Sequence, residues 1–222
     1  MQTAHLAALT ALCLTLVPLA ACHKKKKATG APTAAAALSD PNALQNFDGQ
    51  IGRVSTNPHP PDCATNIPAV PPVRTVAGCD TVGVVQPSEG LCFVDPRVAP
   101  QWTNEPPSSG PEYGVPEFGY YTHATPVPRG NWVRSLAHGF VVILYNCPAG
   151  CAADVANIDN LIRTDLAGTP TIFTPDPLLR SPTRFAAVAW NYLYAFDPVD
   201  LVSLKCFINQ HVSHGQVDHI SP

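Results

Sequence analysis

Residues Ser135 to Cys151, SLAHGFVVILYNCPAGC, bring together residue types that do chemistry: an imidazole leads into an apolar run and a C-P-x-x-C leaves it. A thiol pair at this spacing has three uses. It closes a disulfide, exchanges one with a partner, or holds copper. The positive end of a helix dipole favours the thiolate in the last two. His138, at the mouth of the apolar run, reads either as a hydrogen-bonded core imidazole or as a ligand. His211 and His214 are spaced i, i+3 and share a helix face, where they bind a metal or cap terminal carbonyls. His219 follows in the tail, and His123 stands in a Tyr- and Pro-rich loop with Glu112 and Glu117 shortly before it. The single C-x3-C has no second close pair, so it falls short of a zinc framework. The chain shows no Ser-His-Asp signature and no phosphate-cradling glycine loop; NFDG and SSG are turn chemistry.

The elements that must position these groups follow from pattern. Phe140 to Tyr145 is continuously apolar and β-rich, as in a strand buried on both faces. From Ala152 to Ala167, Val155, Ile158, Ile162 and Leu166 fall on one stripe, with Gly168 and Pro170 as stops, so the spacing predicts an amphipathic helix starting at Cys151. Thr171 to Thr174 reads as a short strand and Arg184 to Phe196 as a long one, on which Trp190, Tyr192 and Tyr194 share a face against the proline-rich half. Asp197-Pro198 predicts the start of a last helix, the acid as N-cap, with Leu201, Leu204, Ile208 and Val212 as its buried stripe. Upstream, fifteen of the 25 prolines lie between Pro58 and Pro128, with strand-like pieces TVGVV and LCFV between them. Proline removes a donor and fixes φ, so this half is expected to be loops and edge strands held by cysteines. The order strand, helix, strand, strand, helix implies an α+β or α/β domain with a mixed sheet and two main helices.

The chain's start decides how the cysteines are read. Residues 6–21, LAALTALCLTLVPLAA, have signal-peptide length, and Leu19-Ala20-Ala21-Cys22 matches the bacterial lipobox, in which the cysteine is lipidated. The expected organisation is a signal peptide over 1–21 and a lipid-anchored tether over 22–48, basic at Lys24 to Lys27 and then Ala/Pro-rich. One globular domain follows over 49–222, with a proline- and Cys-rich part at 49–131 and a β-α-β-β-α part at 132–222. His23 after Cys22, rather than Asp, leaves the protein free to reach the outer membrane of a Gram-negative cell. Beyond the four tether lysines, 9 Lys and Arg face 16 Asp and Glu, a net charge of −7 with no basic stripe, which excludes nucleic acid as the expected partner. Six cysteines remain after Cys13 and Cys22: Cys63, Cys79, Cys92, Cys147, Cys151 and Cys206. An even number in an exported chain suggests disulfides, with fifteen possible pairings. Cys147 and Cys151 are close enough to pair, and Cys206 would tie the last helix to the front half.

Three segments, EPPSSGPEYG, SLAHGFVVILY and AAVAW, in this order between about Asn104 and His214, resemble the uncharacterised bacterial family called domain of unknown function 3105. Members typically carry P-P-T-S-G-P-H, then H-x-L-E-H-G-x-V-x-I-x-Y, then A-W. The resemblance carries no established activity, and its histidines and acid would suit a metal or hydrolytic site. Here Glu112 stands at the His of S-G-P-H, Arg134 at the first His of the second motif and Ala137 at its Glu; His138 alone matches. An always-protonated guanidinium repels a metal and would instead pair with Glu112, worth about 0–1 kcal/mol if exposed. A shorter segment, VVILYNCPAGCAADV, residues 141–155, is similar to thioredoxin-like copper metallochaperones, which implies copper at Cys147 and Cys151 with a distant His.

The expectation is a core strand with a stapled exit, in an exported lipoprotein of the cell envelope whose role is binding or structural rather than enzymatic. Its partners are the membrane, through the Cys22 lipid, and an unidentified envelope protein; no cofactor is expected. The alternatives are a periplasmic redox or copper-handling protein using Cys147, Cys151 and a His, and a degenerate metal-dependent enzyme-like domain. Copper or zinc enters only there, with His138, His123, Glu112, His211 and His214 as candidate ligands.

Overall fold

The computed structural model describes residues 63, 65–121, 125–180 and 182–217. Cys22, His123, His219, the signal stretch and the tether lie outside the described residues. The fold is mixed α+β. A six-stranded sheet runs in the order β1 (Val84–Val85), β8 (Tyr192–Phe196), β7 (Phe185–Ala189), β5 (Val141–Tyr145), β6 (Thr171–Pro175), β4 (Gly119–Tyr120). β5, β6 and β4 are parallel to one another, and β7, β8 and β1 add antiparallel on the other side. A two-stranded parallel sheet joins β2 (Leu91–Phe93) to β3 (Gly110–Glu112).

The apolar run does what its composition requires. β5 is buried along its whole length, and its pleat sends alternate residues to two cores. Val141, Ile143 and Tyr145 join the core under α2 (Ala152–Thr164) and α3 (Leu201–His211). Phe140, Val142 and Leu144 join the core on the other face, with α1 (Arg129–Ala137) and Trp190. The predicted α2 stripe faces the sheet through Ile158 and Ile162, and Cys151 is its N-cap.

Three expectations are corrected. The segment from Arg184 to Phe196 is a hairpin, β7 and β8, turning at Trp190-Asn191, where Asn191 takes φ 61°. Asparagine tolerates this left-handed conformation, and no Gly or Pro marked the break. Trp190 therefore packs in the α1-side core, whereas Tyr192 belongs to the α2/α3 side, with Tyr194 packed against it. The last helix starts at Leu201 with Asp200, not Asp197, as its cap: Asp200 Oδ1 accepts from the Val202 and Ser203 amides. Asp197 is instead held by Arg184 at 2.7 and 2.8 Å. Finally, α1 was missed, because it is buried from Gly130 to Ala137 although Asn131, Arg134 and Ser135 are polar.

No helix among the described residues is long and apolar enough to cross a membrane.

Candidate functional site

The residues aligned with the family motifs converge on α1. This helix ends in a Schellman arrangement: the Gly139 amide donates to Leu136 O (2.9 Å) and the Phe140 amide to Ser135 O (3.1 Å), with Gly139 at φ 85°. His138 is thereby fixed as the C-cap, 2% exposed. Arg134 lies one turn earlier, so the two side chains share a helix face. Arg134 Nη1 donates to Glu112 Oε1 at 2.7 Å, with the side chains 1% and 0% exposed, and its guanidinium lies 4.6 Å from the centre of the Phe93 ring. β2 and β3 thus deliver Phe93 and Glu112 onto the face of α1 that carries Arg134 and His138. The pairing expected from the sequence is present, but the energy of an exposed pair does not apply to it. Both side chains are removed from water, where a one-sided loss costs more than at the surface.

The surrounding loop is stitched to the same helix. Ser135 Oγ accepts from the Glu117 amide (2.8 Å) and donates to Glu117 O (2.6 Å), while Asn131 Nδ2 donates to Val115 O (2.8 Å). The Tyr113 amide donates to Gly130 O, and a Cβ on Gly130 would stand 2.6 Å from the Tyr113 ring, so only glycine lets that ring lie on the helix. Burial raises the pKa of Glu117, opposed by the hydrogen bond from Tyr121 Oη at 2.9 Å. At the helix start, Arg129 bridges Glu105 (3.0 Å) and Asp176 (2.7 Å), tying α1 to the end of β6. At its end, the tail closes over it: the Gln216 and Val217 amides both donate to Ala137 O. Sequence reading missed these positioning residues, although Gly130 and Gly139 were visible signals.

The C-terminal histidines occupy two different environments. His211 is 2% exposed, between the rings of Tyr192 (4.2 Å) and Phe207 (4.5 Å). Burial pushes its pKa down to about 4, against a backbone hydrogen bond at Val82 and with a small push from His214. His214 has its Nδ1 2.9 Å from Pro72 O and its Nε2 3.3 Å from Arg74 Nη2. A carbonyl only accepts and a guanidinium only donates, so both ring nitrogens are spoken for. Arg74 also donates to Asn209 O and Val212 O, and so supplies the cation at the α3 C-terminus that the sequence assigned to histidine. Among the described residues, no group of three or more His, Cys, Asp or Glu side chains is placed to hold a metal ion.

The cysteines join as Cys63–Cys92, Cys79–Cys206 and Cys147–Cys151. Cys147 is buried and Cys151 half-buried, at the N-cap of α2.

With α1, Glu112 and His138 in place, the comparison with known proteins is decisive for ancestry. Residues 94–221 match the family model described as "Protein of unknown function (DUF3105)". The chain belongs to the DUF3105 family. The match spans β3, α1 and everything that follows, so the buried polar centre lies within the family's common region. No match was found among curated proteins or among solved structures. The likeness of residues 141–155 to copper metallochaperones has no support from these comparisons.

Proposed function

We propose that this DUF3105 member is an exported bacterial lipoprotein, anchored at the cell envelope through Cys22, whose folded body binds or braces rather than catalyses. The observation that carries the reading is Leu19-Ala20-Ala21-Cys22 closing an apolar stretch of signal-peptide length. Six body cysteines at disulfide distance in three pairs support an oxidising compartment. His23 after the lipidated cysteine favours the outer membrane in a Gram-negative cell, and the partners are the membrane and an envelope protein. Against catalysis at the motif centre stands its electrostatics: Arg134 places a permanent cation beside Glu112, and that cation repels a metal.

The anchor is tested by fractionating cells that express the full chain and its Cys22→Ala variant. Wild type is expected in membranes and the variant in the soluble fraction. Mass spectrometry finding Cys22 unmodified, with the signal stretch attached, would refute it. The second part is tested by metal analysis of the purified protein: His138→Ala should lower stability without removing a metal. A stoichiometric, tightly held transition metal lost in His138→Ala would overturn the reading.

A further inference from the structure

The three disulfides differ in what they hold. Cys63–Cys92 and Cys79–Cys206 close loops with sequence separations of 29 and 127, whereas Cys147–Cys151 spans 4. The chain entropy removed by a cross-link grows with the loop it closes, so this short one contributes least to global stability. Its neighbours do not depend on it. β5 is buried at every position, and α2 is held to the same core by Ile158, Leu161 and Ile162. The bond can therefore open while strand and helix stay in place.

Its setting also favours reaction. Pro148, Ala149 and Gly150 are exposed, and a cleft of about 250 Å³ lies against them, lined also by Cys147, Leu179 and Arg184. The two sulfurs are unequal: Cys147 is 8% exposed, while Cys151 is half-buried at the start of a thirteen-residue helix. As the N-cap, Cys151 makes no side-chain hydrogen bond to the first turn. A helix start offers free amides, and the Cys151 thiolate gains them as donors when a mixed disulfide on this sulfur is resolved. Arg184 lends the cleft positive character, although Asp197 and Asp154 share its charge.

We propose that Cys147–Cys151 is a thiol-exchange site, at which the thiolate of a cysteine-containing small molecule or peptide attacks Cys151 Sγ. The Cys147–Cys151 bond breaks, a mixed disulfide forms between Cys151 and the incoming sulfur, and the electron pair leaves on Cys147 Sγ. Cys147 then takes a proton from water or returns to expel the ligand. A second thiolate attacking the mixed disulfide at the ligand sulfur leaves both cysteines reduced and the two ligand sulfurs joined, so the electrons balance. The site is a covalent docking point and needs no turnover. It is independent of the anchoring reading.

The test uses the full, oxidised chain with reduced glutathione as the probe, quenched over time with N-ethylmaleimide and mapped by peptide mass spectrometry. Expected first is the opening of Cys147–Cys151 alone, with glutathione on Cys151 and the melting transition retained. In a second arm, Cys147→Ser exposed to oxidised glutathione should take one glutathione at residue 151, at least tenfold faster than Cys151→Ser takes it at residue 147. A short cysteine peptide replacing glutathione separates small-molecule from peptide sources of the thiol. If either long disulfide opens first, if Cys147 reacts as fast as Cys151, or if opening abolishes the folded baseline, the proposal fails. Should a serine variant not fold, the order of opening in the wild type decides alone.

Discussion

Replacing Arg134 by Met removes one half of a pair whose members are 1% and 0% exposed and 2.7 Å apart. Glu112 would then lose the guanidinium that faces it in a site that water does not reach. Breaking a buried pair from one side costs about 3–5 kcal/mol, because the remaining group loses its charge partner without regaining water. The loss of the guanidinium over Phe93 adds up to about 2 kcal/mol for a desolvated contact. Arg134→Met should thus fall near the upper end of the range and Glu112→Gln near the lower, since the amide oxygen still accepts from the guanidinium. In the double variant both members of the pair are gone. It should lose much less than the sum of the single losses, with a coupling energy of about 2 kcal/mol or more. Urea unfolding of the four proteins, followed by far-UV circular dichroism and analysed at a common slope, reads these differences directly. Single losses below about 1 kcal/mol, or strict additivity, would refute the buried-pair reasoning.

His211 has a folded pKa of about 4, below the ordinary 6.5, so the unfolded chain binds the extra proton between those values. Its contribution is full above pH 6.5 and is lost as pH falls toward 4: stability should drop by about 2 kcal/mol from pH 7 to pH 5, a slope that His211→Gln removes. An identical slope in both proteins would contradict the assignment. Chain entropy orders the cross-links: serine replacement should cost about 2 kcal/mol for Cys147–Cys151, about 3.5 for Cys63–Cys92 and about 5 for Cys79–Cys206, read as melting shifts, and a reversed order would reject that ledger. A Cβ on Gly215 would stand 2.3 Å from Ala137 O and from the Gly139 amide nitrogen, both backbone, so Gly215→Ala should cost about 1–3 kcal/mol in urea unfolding. A neutral result there would show that the tail does not need its close approach to α1.

The parts legible in the sequence were those whose burial is one-sided or complete and whose ends carry punctuation. β5 announced itself by an unbroken apolar run, and α2 by a stripe of period 3.6 with Gly168 behind it. α1 was hidden for the opposite reason. Asn131, Arg134 and Ser135 are buried by hydrogen bonding rather than by apolarity, so hydropathy reads a solvent face where none exists. The β7–β8 turn was hidden because Trp190-Asn191 carries neither Gly nor Pro. Of the candidate site, the Glu112–Arg134 pairing could be argued from charge and residue type. Its burial could not, since that depends on β2 and β3 folding over α1. Likewise the histidine spacing was legible, but Arg74 reaches His214 across a sequence gap that no local pattern spans.

The overlap of the two long disulfides has a mechanical meaning. Cys79 lies between Cys63 and Cys92, so the loop closed by Cys63–Cys92 and the loop closed by Cys79–Cys206 interlock. A load pulling on Cys63 and on Cys206 would not stretch the 142 residues between them. It would cross to Cys92, travel thirteen residues back to Cys79, and cross again to Cys206. At about 3.5 Å per extended residue that path reaches roughly 45 Å plus the two bridges, against roughly 500 Å for the reduced chain. Pulled through Cys63 and Cys206, the oxidised body is a short, nearly inextensible link, and only reduction turns it into a long elastic one.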